Sequence, residues 1–185
     1  MPSYCHRNWL AAWVSWRRLF AAVELARRNR ADARRALDFG ASVGELGHLL
    51  LPGPVAYDFI ERDQPAVDYL ASRLPDATRR TLADAPDGAY DWVFAIDALE
   101  HNDDYADLLA RLAAKLGPEG ILVLSGPTEN RLYRLGRRIA GFSGHYHVTN
   151  IHHIEACAAR FLRRADAATI LPGLPLFRLS VWRRP

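Results

Sequence analysis

Four short apolar runs, Ala36–Phe39, Ala56–Ile60, Trp92–Ile96 and Ile121–Leu124, are each too brief to be a packed helix and read as buried strands. Between them, Glu45–Leu51, Ala66–Leu74 and Tyr105–Leu116 carry helical periodicity. Strands alternating with helices impose right-handed crossovers and a parallel sheet covered on both faces, so the expected fold is α/β and doubly wound. A further strand near Thr78–Leu82 is weakly signalled. At the end of the chain, Ala167–Leu171 and Leu176–Trp182 are separated only by turn formers including Pro172, Gly173 and Pro175, too few residues for a crossover helix. They are expected to pair antiparallel as an edge hairpin on a mostly parallel sheet. The 185 residues, half of them apolar, suit one domain.

The carboxyl end of the first strand is where such sheets bind ligands. Residues 36–47 read Ala-Leu-Asp-Phe-Gly-Ala-Ser-Val-Gly-Glu-Leu-Gly: a strand carrying Asp38, a turn with Gly40, Ser42 and Gly44, and a helix start. Glycines let a backbone approach a ligand closely, and a serine hydroxyl adds a contact. About twenty residues on, the second strand ends in Glu61, where a carboxylate accepts hydrogen bonds from both ribose hydroxyls, with Asp63 as its competitor. Together they predict a site for an adenosine-type ligand.

The chain has a single lysine, Lys115, which removes two nucleotide chemistries. A phosphate-binding P-loop needs Gly-Lys followed by Ser or Thr, and Lys115 stands between Ala114 and Leu116. A short-chain dehydrogenase needs a tyrosine four residues before its lysine, and position 111 is arginine. The Gly40, Gly44, Gly47 spacing also departs from the dinucleotide fingerprint.

These residues resemble the class I S-adenosylmethionine-dependent methyltransferases, over a stretch from about Ala36 to Trp182. Asp38-Phe-Gly40-Ala-Ser42-Val-Gly44 looks like the family's first motif, with Ser42 where a middle glycine is usual. Glu61, followed by Ala66 and Val67, looks like its ribose-binding acid and the next helix. Tyr90–His101, ending Asp97-Ala-Leu99-Glu-His101, is similar to its fourth strand and following loop. Gly117-Pro118-Glu119-Gly120 is a variant of its turn into strand five, Glu119 replacing a glycine. The resemblance implies a Rossmann-like fold and S-adenosylmethionine as cofactor. It also implies that Asp38, Gly40, Ser42 and Gly44 line the methionine half, Glu61 holds the ribose, Asp84 meets the adenine, and Asp97 to Leu99 close over the ligand.

S-adenosylmethionine carries an already activated methyl, so the protein mainly aligns the acceptor and excludes water. Where a base is needed, histidine has a suitable pKa. His101, His145 and His147 are the catalytic candidates, each with a bland alternative in loop structure. His145, His147, His152, His153 and Cys157 do not have a convincing metal-binding pattern, so no metal is expected.

The chain divides into a basic aromatic helix (1–35), a cofactor-binding core (36–125), an acceptor-side segment (126–153), and a last helix with the edge hairpin (154–185). Formal charge runs +6 over 1–35, −11 over 36–110 and +8 over 111–185. This pattern argues against a continuous nucleic-acid-binding surface. Base methylation is further disfavoured by Asp97-Ala-Leu-Glu in place of a Pro-Pro-Tyr-type motif and by Cys5 and Cys157 lying away from the site. The arginines at 131, 134, 137 and 138 suggest an anionic acceptor, small or lipid-linked, with oxygen favoured as the acceptor atom. Two rivals are a non-catalytic S-adenosylmethionine-binding partner subunit and a nicotinamide-dependent oxidoreductase.

Trp9, Trp13, Trp16, Phe20 and Val23 recur on one helical face, with Arg18 opposite. The aromatic stripe is expected to pack on the sheet or over a ligand cleft; the alternative is a peripheral contact with a membrane interface. The apolar run Trp9 to Trp16 is too short to span a bilayer and lacks the flanks of a signal peptide. Two scattered cysteines suit a reducing, cytoplasmic compartment.

Overall fold

The computed structural model describes residues 9–128, 149–171 and 174–185. Its elements are α1 (Trp9–Asn29), β1 (Arg35–Phe39), α2 (Glu45–Leu50), β2 (Ala56–Ile60), α3 (Gln64–Arg73), β3 (Thr78–Arg79), β4 (Tyr90–Ile96), α4 (Tyr105–Lys115), β5 (Leu116–Pro127), α5 (Ile151–Ala158), β6 (Arg163–Leu171) and β7 (Leu174–Arg183). A short 3-10 turn, Leu99–His101, follows β4. The strands form one sheet in the order β3-β2-β1-β4-β5-β7-β6. The first five run parallel, and β7 enters antiparallel between β5 and β6. The chain therefore reverses its direction of travel across the sheet between β3 and β4, the arrangement that opens a crevice at the carboxyl edge beside β1 and β4.

Two apolar layers sandwich the sheet. One joins α1, α2 and α3 to Ala36, Tyr57, Phe59, Trp92 and Phe94. The other joins α4 and α5 to Leu37, Phe39, Val93, Ala95, Leu122 and Leu124. Adjacent residues of β1 and β4 alternate between these layers, as the two-residue repeat of a strand requires. Asp58 is a buried acid facing the second layer's Tyr90, and it is satisfied there. The Tyr90 hydroxyl donates to it at 2.7 Å, Arg35 at 2.8 Å and Arg80 at 3.2 Å.

The predicted strands and helices are present, with β4 and β5 longer than their apolar cores because their flanking residues also pair. Glu119, the departure in the turn into strand five, is exposed and has no positive φ. The steric demand falls on Gly120, where an added Cβ would lie 2.6 Å from the Tyr90 carbonyl. Lys115 is fixed structurally: its buried ammonium donates to the Ala85 carbonyl at 2.7 Å and to Asp87 at 2.6 Å.

The first helix corrects one expectation. Its inward face is Ser15, Arg18, Leu19, Ala22, Val23 and Ala26, while Trp9, Trp13 and Phe20 are exposed at 76%, 45% and 51%. Small and aliphatic residues approach the sheet closely, so Trp9, Trp13 and Phe20 of the stripe point outward, whereas Trp16 and Val23 pack against the core and Arg18 is buried. Leu109, fully enclosed on the inner face of α4, tests the packing. Leu109→Ala should lower the unfolding free energy in urea by roughly 2–5 kcal/mol; a loss well below that would contradict the packing described.

Candidate functional site

The turn after β1 bends back over the end of β2. Gly40 and Ala41 both donate their N–H to the Ile60 carbonyl, at 2.9 and 3.3 Å. Three residues of this turn have positive φ: Gly40 at 78°, Ser42 at 52° and Gly44 at 87°. Glycine adopts this region without steric cost, whereas a serine there is strained by roughly 1–2 kcal/mol. The Ser42 N–H donates to Glu61 at 2.8 Å, so the strained residue is tied to the predicted ribose acid.

Glu61 is fixed by three backbone donors. One carboxylate oxygen accepts from Ser42, and the other accepts from Arg62 at 2.6 Å and Asp63 at 2.9 Å. Asp63, the competitor for the ribose role, instead precedes α3 as its N-terminal boundary residue. The segment after β4 closes from the other side: a Cβ on Gly40 would lie 2.7 Å from the Ala98 Cβ. The structure thus brings Gly40, Ser42, Glu61 and the Asp97–Ala98 segment together.

Asp38 lies beneath the turn, 3% exposed, and accepts a hydrogen bond from the Tyr57 hydroxyl at 2.6 Å. Burial, with Glu45 and Glu61 nearby, pushes its carboxyl up to about 7, although the Tyr57 bond opposes the rise. Burial also raises the Glu45 carboxyl, and it drives the Tyr57 hydroxyl well above its usual range, helped by the charge of Asp38. Carboxylates gathered at one turn, one of them held partly protonated, suit a ligand carrying positive charge.

Asp97 follows β4 in the left-handed region, φ 51°. Its N–H donates to the Ser125 carbonyl at 3.0 Å, and the Ser125 hydroxyl donates to its carboxylate at 3.2 Å. Arg18 completes the arrangement with an ion pair to Asp97 at 2.6 Å, its guanidinium 4.5 Å from the centre of the Phe177 ring. Sequence periodicity placed Arg18 away from the aromatic face; the residues at i−3, i+1, i+4 and i+8 (Ser15, Leu19, Ala22, Ala26) were the available sign that its own side faces inward. Tyr57 and Ser125 were missed because each reads as an ordinary strand residue.

The other candidates are placed less directly. Asp84 is exposed and closes on Thr81, accepting from its N–H at 2.9 Å. Leu99 is buried in the α4 layer, while His101 is exposed at the end of the 3-10 turn. His145 and His147, with the arginines at 131, 134, 137 and 138, lie outside the described residues. Among the described residues, no group of three or more His, Cys, Asp or Glu side chains is placed to hold a metal. Cys157 is buried in α5, and Asn150 caps that helix by accepting from the N–H groups of His152 and His153.

Comparison with known proteins agrees with this architecture. A family model described as a methyltransferase domain matches residues 10–161. A curated relative, trans-aconitate 2-methyltransferase of Delftia acidovorans, is 32% identical over 131 residues, which are 65% of this chain and 48% of that protein. The chain thus spans about half the length of this relative. The N-methyltransferase NodS of Bradyrhizobium japonicum WM9, solved with S-adenosyl-L-homocysteine, superposes with a TM-score of 0.75 at 14% identity, covering 99% of this chain and 95% of the other. Magnesium protoporphyrin IX methyltransferase of Synechocystis PCC 6803, also solved with that product, gives 0.74 at 17% identity, covering 97% and 89%.

With the family model matched over residues 10–161 and the glycine turn, Glu61 and the β4 loop converging at the sheet's carboxyl edge, the chain belongs to the class I S-adenosylmethionine-dependent methyltransferases.

The titration of Asp38 gives a direct check. Its folded pKa of about 7 exceeds the ordinary 3.8, so the native state holds the extra proton between those values and loses stability as pH rises through them. Asp38→Asn keeps an acceptor for Tyr57 but removes the titration. Urea unfolding at pH 4 to 7.5 should show wild-type stability declining relative to the variant; parallel profiles would refute the buried, proton-holding carboxyl.

Proposed function

We propose that the protein transfers the methyl of S-adenosylmethionine to a small anionic acceptor, with a carboxylate oxygen favoured as the receiving atom. The observation that supports the cofactor most directly is the fixed Glu61 beside the Gly40–Ser42 turn. There Glu61 would take the ribose hydroxyls, backbone at Gly40 and Asp97 would bound the methionine end, and Asp38 would balance positive charge from below. The cofactor supplies an activated methyl on a cationic sulfur. The chain's own contribution is alignment: the two loops fix one reactant while the β4–β5 edge receives the other, which lowers the barrier by orienting them and excluding water.

The curated relative is named for trans-aconitate, a tricarboxylate, and this supports an anionic acceptor here. An ionised carboxylate is already deprotonated near neutral pH, so such a transfer needs no general base. His101 stands ready for that role only if the acceptor is a hydroxyl. Lipid linkage of the acceptor finds no additional support in the described residues.

The outward aromatic face of α1 favours a second, separate reading: peripheral contact with an anionic membrane. Trp9, Leu10, Trp13 and Phe20 are exposed, Arg17 is exposed among them, and residues 1–35 carry a net +6. No helix among the described residues is long and apolar enough to cross a membrane. Aromatic rings and arginines together suit the headgroup level. Sedimentation with vesicles containing phosphatidylglycerol should carry the wild type down and Trp13→Ala less; equal recovery from anionic and neutral vesicles would reject this contact.

For the main reading, calorimetric titration should show S-adenosylhomocysteine binding and no comparable binding of NAD. Glu61→Ala should weaken the product cofactor by about tenfold or more, the scale of hydrogen bonds to a charged group. Unchanged affinity would remove Glu61 from the ribose site, and selective binding of NAD would overturn the methyltransferase reading.

A further inference from the structure

Two carboxyl groups are buried at the glycine turn without a cation beside them. Asp38 of β1 is 3% exposed and Glu45, the first residue of α2, is 7% exposed. Among the described residues, no Arg, Lys or His side chain forms an ion pair with either. Asp38 has the Tyr57 hydroxyl at 2.6 Å. The charge of Glu45 reaches both members of that bond, and its Oε1 is buried with no hydrogen-bond partner. The other groups around them bring no positive charge. Glu61 approaches from the end of β2, Phe59 and Phe94 stand in register with Asp38, and Leu70 and Leu74 of α3 cover Gly44. His48, further along α2, is exposed, and Arg18 of α1 is paired with Asp97.

Buried carboxylates without a cation are costly, so neighbouring ones either retain a proton or are relieved by a positive ligand. Burial raises Glu45, against the pull of the Val43 and Glu45 backbone, as it raises Asp38. S-adenosylmethionine and S-adenosylhomocysteine share their adenosine and amino-acid ends and differ by one methyl and one positive charge on sulfur. Glu61 at the ribose meets the same hydroxyls in both, whereas an uncompensated negative field acts on the difference. We propose that Glu45, acting with Asp38, is a specificity-determining residue that makes the site favour the cationic cofactor over its neutral product, by the field of the pair and with exchange of a proton. The inference rests on the methyltransferase reading above and adds to it how substrate and product cofactor are told apart. When the cation binds, the pair gives its proton to solvent. Once the methyl has left and the sulfur is neutral, the pair takes a proton back and its hold on the product weakens. Below about pH 7, where Asp38 is protonated in the free protein, the cation must expel that proton, so its affinity falls as pH drops.

The test is calorimetric titration of the full chain with S-adenosylmethionine and S-adenosylhomocysteine, side by side from about pH 5.5 to 8, in two buffers of different ionisation enthalpy. Effects on the groups common to both ligands cancel in the ratio of the two affinities. That ratio should favour S-adenosylmethionine and grow by about fivefold or more from the acid to the alkaline end. Near pH 6.5 the buffer comparison should show more protons released by S-adenosylmethionine than by S-adenosylhomocysteine. Glu45→Gln, which keeps the shape and removes the charge, should lower the ratio at pH 8 by about threefold or more, with S-adenosylhomocysteine affinity within about twofold of wild type. The wild-type proton count tests the same claim without any substitution. Parallel pH profiles with equal proton release for the two ligands would overturn the proposal, and so would an unchanged ratio or an equal loss of both ligands in Glu45→Gln. In each of these results the ligands still bind and the methyltransferase reading stands; if neither ligand binds wild type at any pH, that reading falls and the proposal with it.

Discussion

The Ile60 carbonyl, accepting N–H groups from both Gly40 and Ala41, is the contact on which the site's geometry depends. It folds the turn after β1 over the end of β2, and so brings the Ser42 N–H to Glu61. That position also leaves Gly40 so close to Ala98 that a side chain there would collide with it. Three segments far apart in sequence become one surface because one strand end receives two backbone donors. The turn needs left-handed backbone to make these bonds, which explains glycine at 40 and 44 and marks Ser42 as a strained substitute.

A second set of contacts joins α1 to the same edge. Arg18 holds Asp97, Ser125 bonds both the backbone and the side chain of Asp97, and the Phe177 ring supports the guanidinium. At the carboxyl end of the helix, Asn29 and Arg28 bond Asp166 in β6, so α1 is fastened at its middle and at that end. The helix therefore does more than cover an apolar layer: it brings a buried charge to Asp97 while turning Trp9 and Trp13 outward.

Much of this was legible in the sequence for a physical reason. Buried parallel strands need continuous apolar runs, and Leu37, Phe39, Val93 and Ala95 supply them, which made the sheet readable. The glycine turn and Glu61 were legible because their backbone demands restrict residue type. Helix α1 misled because Trp9, Trp13 and Phe20 dominate any hydrophobicity reading, whereas the packing face was chosen by fit: Ser15, Ala22 and Ala26 allow close approach to the sheet. Arg18 was hidden by the same effect: the small residues around it marked an inward face, but the partner that compensates its charge, Asp97, lies 79 residues later. The neighbourhood of Asp38 was equally unreadable, because its raised pKa depends on burial and on charges from separate elements.

A crystal structure with S-adenosylhomocysteine tests the central claim most directly. The account predicts the ribose hydroxyls within hydrogen-bond distance of Glu61 and the methionine end between Gly40 and Asp97. The ligand lying elsewhere, or a ribose held without Glu61, would contradict it.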